Sequence, residues 1–352
     1  MNTTAISTLI ENKITEKIFP GAVVAILKKD KVIYHAAFGQ RIIKPKCAPM
    51  LPDTLFDLAS LTKPIVIGTL AMQLVTSGDL SLDTPAQTYL PAFKRPHITC
   101  HHLLTHTSGL PAWKPLYIET SSPDTVIEHL GNIPLESVHG EKVTYSCLGY
   151  ILMGKLIATI TGESLDSLAH NGIFKPLGMK RTLYNPQQQL HDNCAATEDS
   201  NSFERRMVKS GQHGRYYRGH NWRKGVIIGE VHDENANFLG GVSGNAGLFS
   251  NIRDLITYCQ MLLQNGNSFL SADNIKAFAT PQTPPTETEQ RSIGWHILED
   301  GSMYHTGFTG TSIRIDLNKG LAAILLTNRV HPDAQRTGII ECRNQFHRIV
   351  FG

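Results

Sequence analysis

The alternation of apolar and polar positions divides the chain into strand-rich ends and a helical middle. Over the first twenty residues Ile6, Leu9, Ile10, Ile14 and Ile18 recur at helical spacing, with Glu11, Lys13, Glu16 and Lys17 between them. This predicts an amphipathic helix and lacks the unbroken apolar core of a signal peptide. From Gly21 to Gly39 two apolar runs flank Lys28-Lys29-Asp30-Lys31, the pattern of a β-hairpin. A Pro-rich polar connection follows, and then an apolar run from Pro64 to Val75 that predicts a buried helix with Ser60 near its N-terminus. Residues 78 to about 284 read as mainly helix and loop, with clear helical spacing at 148–160 and 255–263. Four strand candidates come next, at 293–298, 303–307, 311–317 and 321–327, joined by turn residues at 299–302 and 318–320. A last helix over about 333–350 is predicted to present Ile339, Ile340, Phe346 and Val350 to one side.

Strands at both ends and helices between them predict an α+β fold: a mainly antiparallel sheet built from both chain ends, flanked by helices, with a large helical region inserted. The expected division is 1–68 plus 285–352 for the sheet region and 69–284 for the helical region, with a cleft between them. At 352 residues, 41% hydrophobic and 18% charged, the composition is that of a soluble globular protein. A net charge of +3 gives no global electrostatic case for nucleic acid, and no apolar run approaches the length of a membrane span. The six cysteines, at 47, 100, 147, 194, 259 and 342, are scattered without a C-x-x-C pair, which predicts free thiols and a cytoplasmic placement. A periplasmic placement is expected only if the chain is part of a longer one. Neither a cofactor nor a metal is implied: His102 and His106 have i, i+4 spacing, but the glutamate of H-E-x-x-H is missing, so polar residues at a helix end are expected there.

The candidate chemistry starts at Ser60-Leu61-Thr62-Lys63, a hydroxyl and an amine that a helix would place on one face. Chance alone supplies about one or two such pairs in a chain of this length. Two later strings change the picture: Tyr145-Ser146-Cys147, just before a buried helix, and His305-Thr306-Gly307, on a strand near the C-terminus. With His102-Leu-Leu-Thr-His-Thr-Ser-Gly-Leu110, Pro176-Leu-Gly-Met179, Gly240-Gly-Val-Ser-Gly-Asn-Ala-Gly-Leu-Phe-Ser250 and His305-Thr-Gly-Phe-Thr-Gly310 in order, the sequence resembles the serine hydrolase family of class C β-lactamases, low-molecular-weight penicillin-binding proteins and related esterases. That family uses S-x-x-K, Y-x-N and K/H-T-G strings.

The resemblance implies the β-lactamase/transpeptidase-like fold and a set of roles. Ser60 would form an acyl-enzyme, Lys63 and Tyr145 would share the proton transfers with the base left open between them, and the N–H groups of Ser60 and Phe308 would form an oxyanion hole. Cys147, His305, Thr306 and Gly307 would contact substrate, Gly307 by leaving the strand edge open. Thr306 and His305 should point to opposite faces of their strand. Two positions depart from the family strings. Cys147 stands where Y-x-N has an amide, and His305, mostly neutral at pH 7, stands where classical members carry Lys. Both point to an esterase-like acyl hydrolase of a small ester or amide, ahead of a β-lactamase, a D-Ala carboxypeptidase, a D-amino-acid amidase or an acyltransferase. The non-enzyme alternative is a catalytically silent binding protein on the same fold. A segment at 203–224, with Arg205, Arg206, Lys209, Arg215, Arg218, Arg223 and Lys224 among Tyr216, Tyr217 and Trp222, resembles an insertion. It reads either as a solvated loop or as a lid placing cationic and aromatic groups over the cleft for an anionic or amphiphilic ligand.

Overall fold

Alternation at period two builds the central sheet and decides what covers each face. In the computed structural model, which describes residues 2–211 and 220–352, the strands are β1 (Gly21–Lys28), β2 (Lys31–Ile42), β3 (Ala48–Pro49), β4 (Phe56–Asp57), β5 (Leu183–Tyr184), β6 (Leu248–Ser250), β7 (Gln290–Arg291), β8 (His296–Ile297), β9 (Met303–Thr306), β10 (Ser312–Asp316) and β11 (Leu321–Thr327). Eight of them form one sheet in the order β3-β2-β1-β11-β10-β9-β8-β7. Every pairing is antiparallel; β1 and β11, the first and last long strands, lie side by side with Val24 opposite Leu325. The chain ends therefore complete one sheet, as the patterning predicts.

Both central strands are apolar along almost their whole length because both faces are covered. Val24, Ile26, Ala323 and Leu325 pack against Ile6 and Ile10 of the N-terminal helix Thr3–Thr15 and against Ile339, Cys342 and Phe346 of the C-terminal helix Ile339–Phe351. The alternate residues Val23, Ala25, Ile324 and Leu326 face the main core with the inserted helices. Ile339 and Phe346 pack on the expected face of the last helix, but Ile340 is 71% exposed and Cys342 packs in its place. The helix also begins later than its apolar pattern suggests.

The inserted region is not purely helical, since it carries β5 and β6. Three strands of two or three residues, β4, β6 and β5, form a small second sheet in that order. Strands this short leave no periodic signal. This sheet delivers the chain directly to Ser60, since the Leu58 N–H donates to the Leu248 carbonyl at 2.9 Å. Ser60 then sits in a tight 3₁₀ turn, Ala59–Leu61, followed by a wide turn over Lys63–Gly68 and the α-helix Thr69–Ser77. The stretch Ala59–Ser77 is by length and composition able to cross a membrane, contrary to the sequence expectation, but 72% of that window is buried inside the protein. It is a core helix of this fold.

Candidate active site

Three parts of the chain meet at Ser60. The turn Ala59–Leu61 exposes its hydroxyl to a cavity of about 320 Å³ lined by Trp113, Tyr145, Cys147, Phe203, Glu204, Met207, His232, Asp233, Thr306 and Phe308, among others. Tyr145 and Cys147 flank Ser146, which N-caps the helix Cys147–Thr161 by accepting the Gly149 N–H. The Ser146 hydroxyl also donates to the Pro111 carbonyl at 2.7 Å, and its N–H donates to His106 Nδ1 at 2.9 Å, so the string is held from both sides. Strand β9 brings His305 and Thr306, and the following turn brings Phe308, whose ring is partly exposed at the rim.

Lys63 is fully buried, and its ammonium has an acceptor for each of its three protons. Nζ donates to Ser60 Oγ at 2.9 Å, to the Asn245 carbonyl at 3.0 Å and to Cys147 Sγ at 3.5 Å. It also lies 5.0 Å from the centre of the Tyr145 ring. Burial opposes the cation, but Cys147 and Tyr145 beside it hold the Lys63 pKa above the ordinary lysine value. Burial pushes the Cys147 thiol up, against the pull of Lys63. The resting arrangement is an ammonium beside a thiol and a serine hydroxyl.

A second cavity, about 180 Å³, lies against the same wall. It is lined by Tyr145, Arg291, His296, Tyr304, His305 and Thr306, so Tyr145 and Thr306 belong to both cavities. His305 lines only the smaller one, together with its strand neighbours Tyr304 and Thr306. Burial, then Arg291 and Lys63, keep the His305 pKa well below its ordinary value, and its Nδ1 lies 3.0 Å from the Thr306 carbonyl. A carbonyl only accepts, so Nδ1 carries the proton and the buried, unpartnered Nε2 is a bare acceptor. Arg291 pairs with Glu289, lies 5.2 Å from the Tyr145 ring centre, and has a buried Nε without a partner.

Several expectations need correction. A Cβ on Gly307 would collide with the Leu58 carbonyl oxygen and Thr311 Oγ1, so the glycine lets β9 approach the Ser60 turn instead of clearing space for substrate. The 203–224 segment does contribute to the cleft, but through Phe203, Glu204 and Met207 of the helix Ser202–Ser210. None of its described cations lines the cavity. Arg206 pairs with Asp333 at 3.1 Å, Arg223 with Glu234 at 2.7 Å, and Arg205 lies 6.0 Å from the Trp222 ring centre. Trp222 packs on Tyr117 and Val208; Arg215, Tyr216, Tyr217 and Arg218 fall outside the described residues. His102 closes a capping box with Thr99 at the start of the helix Cys100–Leu104, whereas His106 lies past the end of that helix, its ring tilted 36° against Tyr145 with ring centres 4.5 Å apart.

Sequence reasoning missed Asn245, whose carbonyl accepts from Lys63; its glycine-rich string suggests only a tight turn. It also gave no role to the string at 232–234. There the His232 N–H donates to Asp57, Asp233 caps the helix Glu234–Phe238 and accepts from Asn245 Nδ2 at 3.2 Å, and Glu234 is buried against Arg223 and His220. Glu204 is buried with Tyr117 Oη and the Glu234 N–H on its two oxygens, at 3.0 Å each, and burial, then Asp233, push its pKa well above the usual carboxylate range.

Comparison with known proteins shows the family and the fold. The Beta-lactamase family model matches residues 6–341. An N-acetylmuramyl-L-alanine amidase of Bacillus subtilis (strain 168) is 33% identical over 354 residues, covering 89% of this chain and 78% of that protein. Among solved structures, EstCE1, a hydrolase with promiscuous acyltransferase activity, superposes with a TM-score of 0.80 at 20% identity, covering 99% of this chain and 98% of its own. A class C beta-lactamase does so with a TM-score of 0.76 at 18% identity, covering 99% and 96%. The chain belongs to the beta-lactamase family of serine hydrolases and has the α+β fold of that family.

Proposed function

We propose that Ser60 is the nucleophile of an acyl hydrolase that works through an acyl-enzyme, with small esters as its best substrates. The observation that carries this reading is the buried Lys63 ammonium 2.9 Å from Ser60 Oγ, at the floor of a cavity wide enough for a short acyl group. Ser60 attacks the carbonyl carbon, and its proton passes to the neighbouring pair. With Lys63 as the cation, Tyr145 reacts as the phenolate, whose charge the ammonium offsets; its oxygen takes the Ser60 proton and becomes the neutral phenol. The N–H groups of Ser60 and Phe308 receive the carbonyl oxygen as it becomes an oxyanion. Tyr145 then returns the proton to the leaving group, and water repeats the sequence on the acyl-enzyme.

A second reading, cleavage of an amide whose leaving part ends in a carboxylate, is favoured by Arg291 in the cavity behind Tyr145 and Thr306. The amidase named above, which shares a third of its aligned residues with this chain, supports the same direction.

Hydrolysis of p-nitrophenyl butyrate by the wild-type protein and by Ser60→Ala tests the first reading. The variant is expected to lose at least about 10³-fold in kcat, as for removal of a nucleophile that acts within a catalytic unit, and to lose labelling by a fluorophosphonate. Full retained activity would remove Ser60 from the mechanism, and an unlabelled wild-type protein would favour the silent binding protein.

A further inference from the structure

The turn that presents Ser60 is held in an unfavourable conformation. Ala59, a residue with a Cβ, has φ +48° immediately before the candidate nucleophile; such a residue persists in the left-handed region only when its surroundings hold it there. The restraint is Asp57, the last residue of β4, which is 2% exposed. Its Oδ1 accepts the Ala59 N–H at 2.8 Å, and its Oδ2 accepts the His232 N–H at 2.7 Å. Its own carbonyl accepts from Thr309 Oγ1 at 2.7 Å. One residue thus grips the turn before Ser60, the cavity wall at His232 and the turn after Phe308.

The connections converge on Phe308 as well. The His232 ring stacks on the Phe308 ring with centres 5.5 Å apart and planes 24° from parallel. Arg329 Nε donates to the Phe308 carbonyl at 2.8 Å, fixing the plane of the peptide that follows Phe308. Thr311 Oγ1 donates to the Leu58 carbonyl at 3.1 Å, a second tie between the same two turns. Resting on the reading of Ser60 and Phe308 as the oxyanion hole, we propose that Asp57 is a positioning residue that locks these two N–H donors into one rigid unit. It touches neither substrate nor the reacting atoms; it acts by fixing the spacing and direction of two donors that come from turns following separate strands, β4 and β9. Donors fixed in this way need no reorganisation as charge develops on the carbonyl oxygen.

The variant Asp57→Asn tests this. Its amide offers one acceptor atom, and its NH₂ faces the other N–H, so only one of the two side-chain bonds survives. Misplacement of a catalytic donor by an ångström costs about 10²-fold, so kcat for p-nitrophenyl butyrate should fall by roughly that factor while KM stays within about twofold. The affinity for phenylboronic acid, whose tetrahedral serine adduct places an oxygen in the hole, should fall by a similar factor. The control is Asp254→Asn, a buried carboxylate that accepts the Arg181 N–H at 2.7 Å and Thr182 Oγ1 at 2.8 Å without lining either cavity. It should lower the melting temperature but leave kcat and boronate affinity within about twofold of wild type. If Asp57→Asn does not fold, Thr309→Val, which removes only the hydroxyl bond to the Asp57 carbonyl, should still lower kcat several-fold at unchanged KM. The inference is overturned if the folded Asp57→Asn protein keeps wild-type kcat and boronate affinity, or if Asp254→Asn loses both equally. A wild-type protein that neither hydrolyses the ester nor binds the boronate overturns the reading of Ser60, and this inference with it.

Discussion

Tyr145 and Thr306 separate two cavities of opposite character. The larger, with Ser60 at its floor, is walled by Trp113, Phe203, Met207 and Phe308 and carries the carboxyls of Glu204 and Asp233. The smaller is polar and carries Arg291, His296 and His305. Burial pushes titratable groups on both sides toward their neutral forms: Glu204 is raised well above the carboxylate range, while His305 is lowered well below its ordinary value and His296 to about 4. Arg291 keeps its charge, because a guanidinium does not lose its proton in proteins. Shape and apolar contact then select what enters beside Ser60, and a single fixed cation selects what enters behind Tyr145.

The sharpest way to break this contrast is to remove that cation. Arg291→Ala should lower kcat/KM for an N-acyl-alanine, whose leaving part ends in a carboxylate, by about 10- to 100-fold, the range for a lost hydrogen bond to a charged group. Hydrolysis of p-nitrophenyl butyrate, which places no charge there, should stay within about threefold. Steady-state kinetics on both substrates decide it: equal losses would mean that Arg291 supports Tyr145 through its ring contact and reads no carboxylate.

A smaller effect is expected on the other side of the wall. Cys147→Asn restores the amide that the family string carries and offers substrate a donor beside Ser60. Wild-type turnover of nitrocefin is expected to be poor, and the variant should gain about tenfold, the worth of one good hydrogen bond. Unchanged turnover would show that this substrate makes no use of a hydrogen-bond donor at position 147.

What the sequence revealed and what it hid follow from how each residue acts. Ser60, Lys63, Tyr145 and His305 contribute side-chain chemistry in short strings, so residue type and order were enough to single them out. Asn245 contributes a backbone carbonyl and Asp57 a pair of acceptors for backbone N–H groups, and neither use leaves a mark on residue type. The long strands β1, β2, β10 and β11 were legible because an apolar face repeats along them, whereas β4, β5 and β6 are too short to repeat anything. In the 203–224 segment the density of arginines suggested cations over the cleft. Arg206 and Arg223 instead pair with Asp333 and Glu234, and the helix turns Phe203 and Glu204 to the cavity. Charge composition does not say which way a side chain faces.

The smallest expected effect concerns the histidines of the basic side. His305 and His296 are lowered by burial first and by Arg291 second, from an ordinary value of 6.5. As pH falls below that value the unfolded chain takes up protons that the folded chain refuses, so the stability these groups leave intact at neutral pH is lost progressively on acidification, down to about 4 for His296. The melting temperature should therefore drop between pH 7 and pH 5, by about 1–2 °C for each kcal/mol lost in a chain of this length. In Arg291→Ala the acid limb should be shallower, because removing the cation lets both histidines rise part of the way toward 6.5. Scanning calorimetry at several pH values reads this slope directly. If the slope does not change, burial alone keeps the histidines neutral, and Arg291 acts on its cavity only through the charge it offers a ligand.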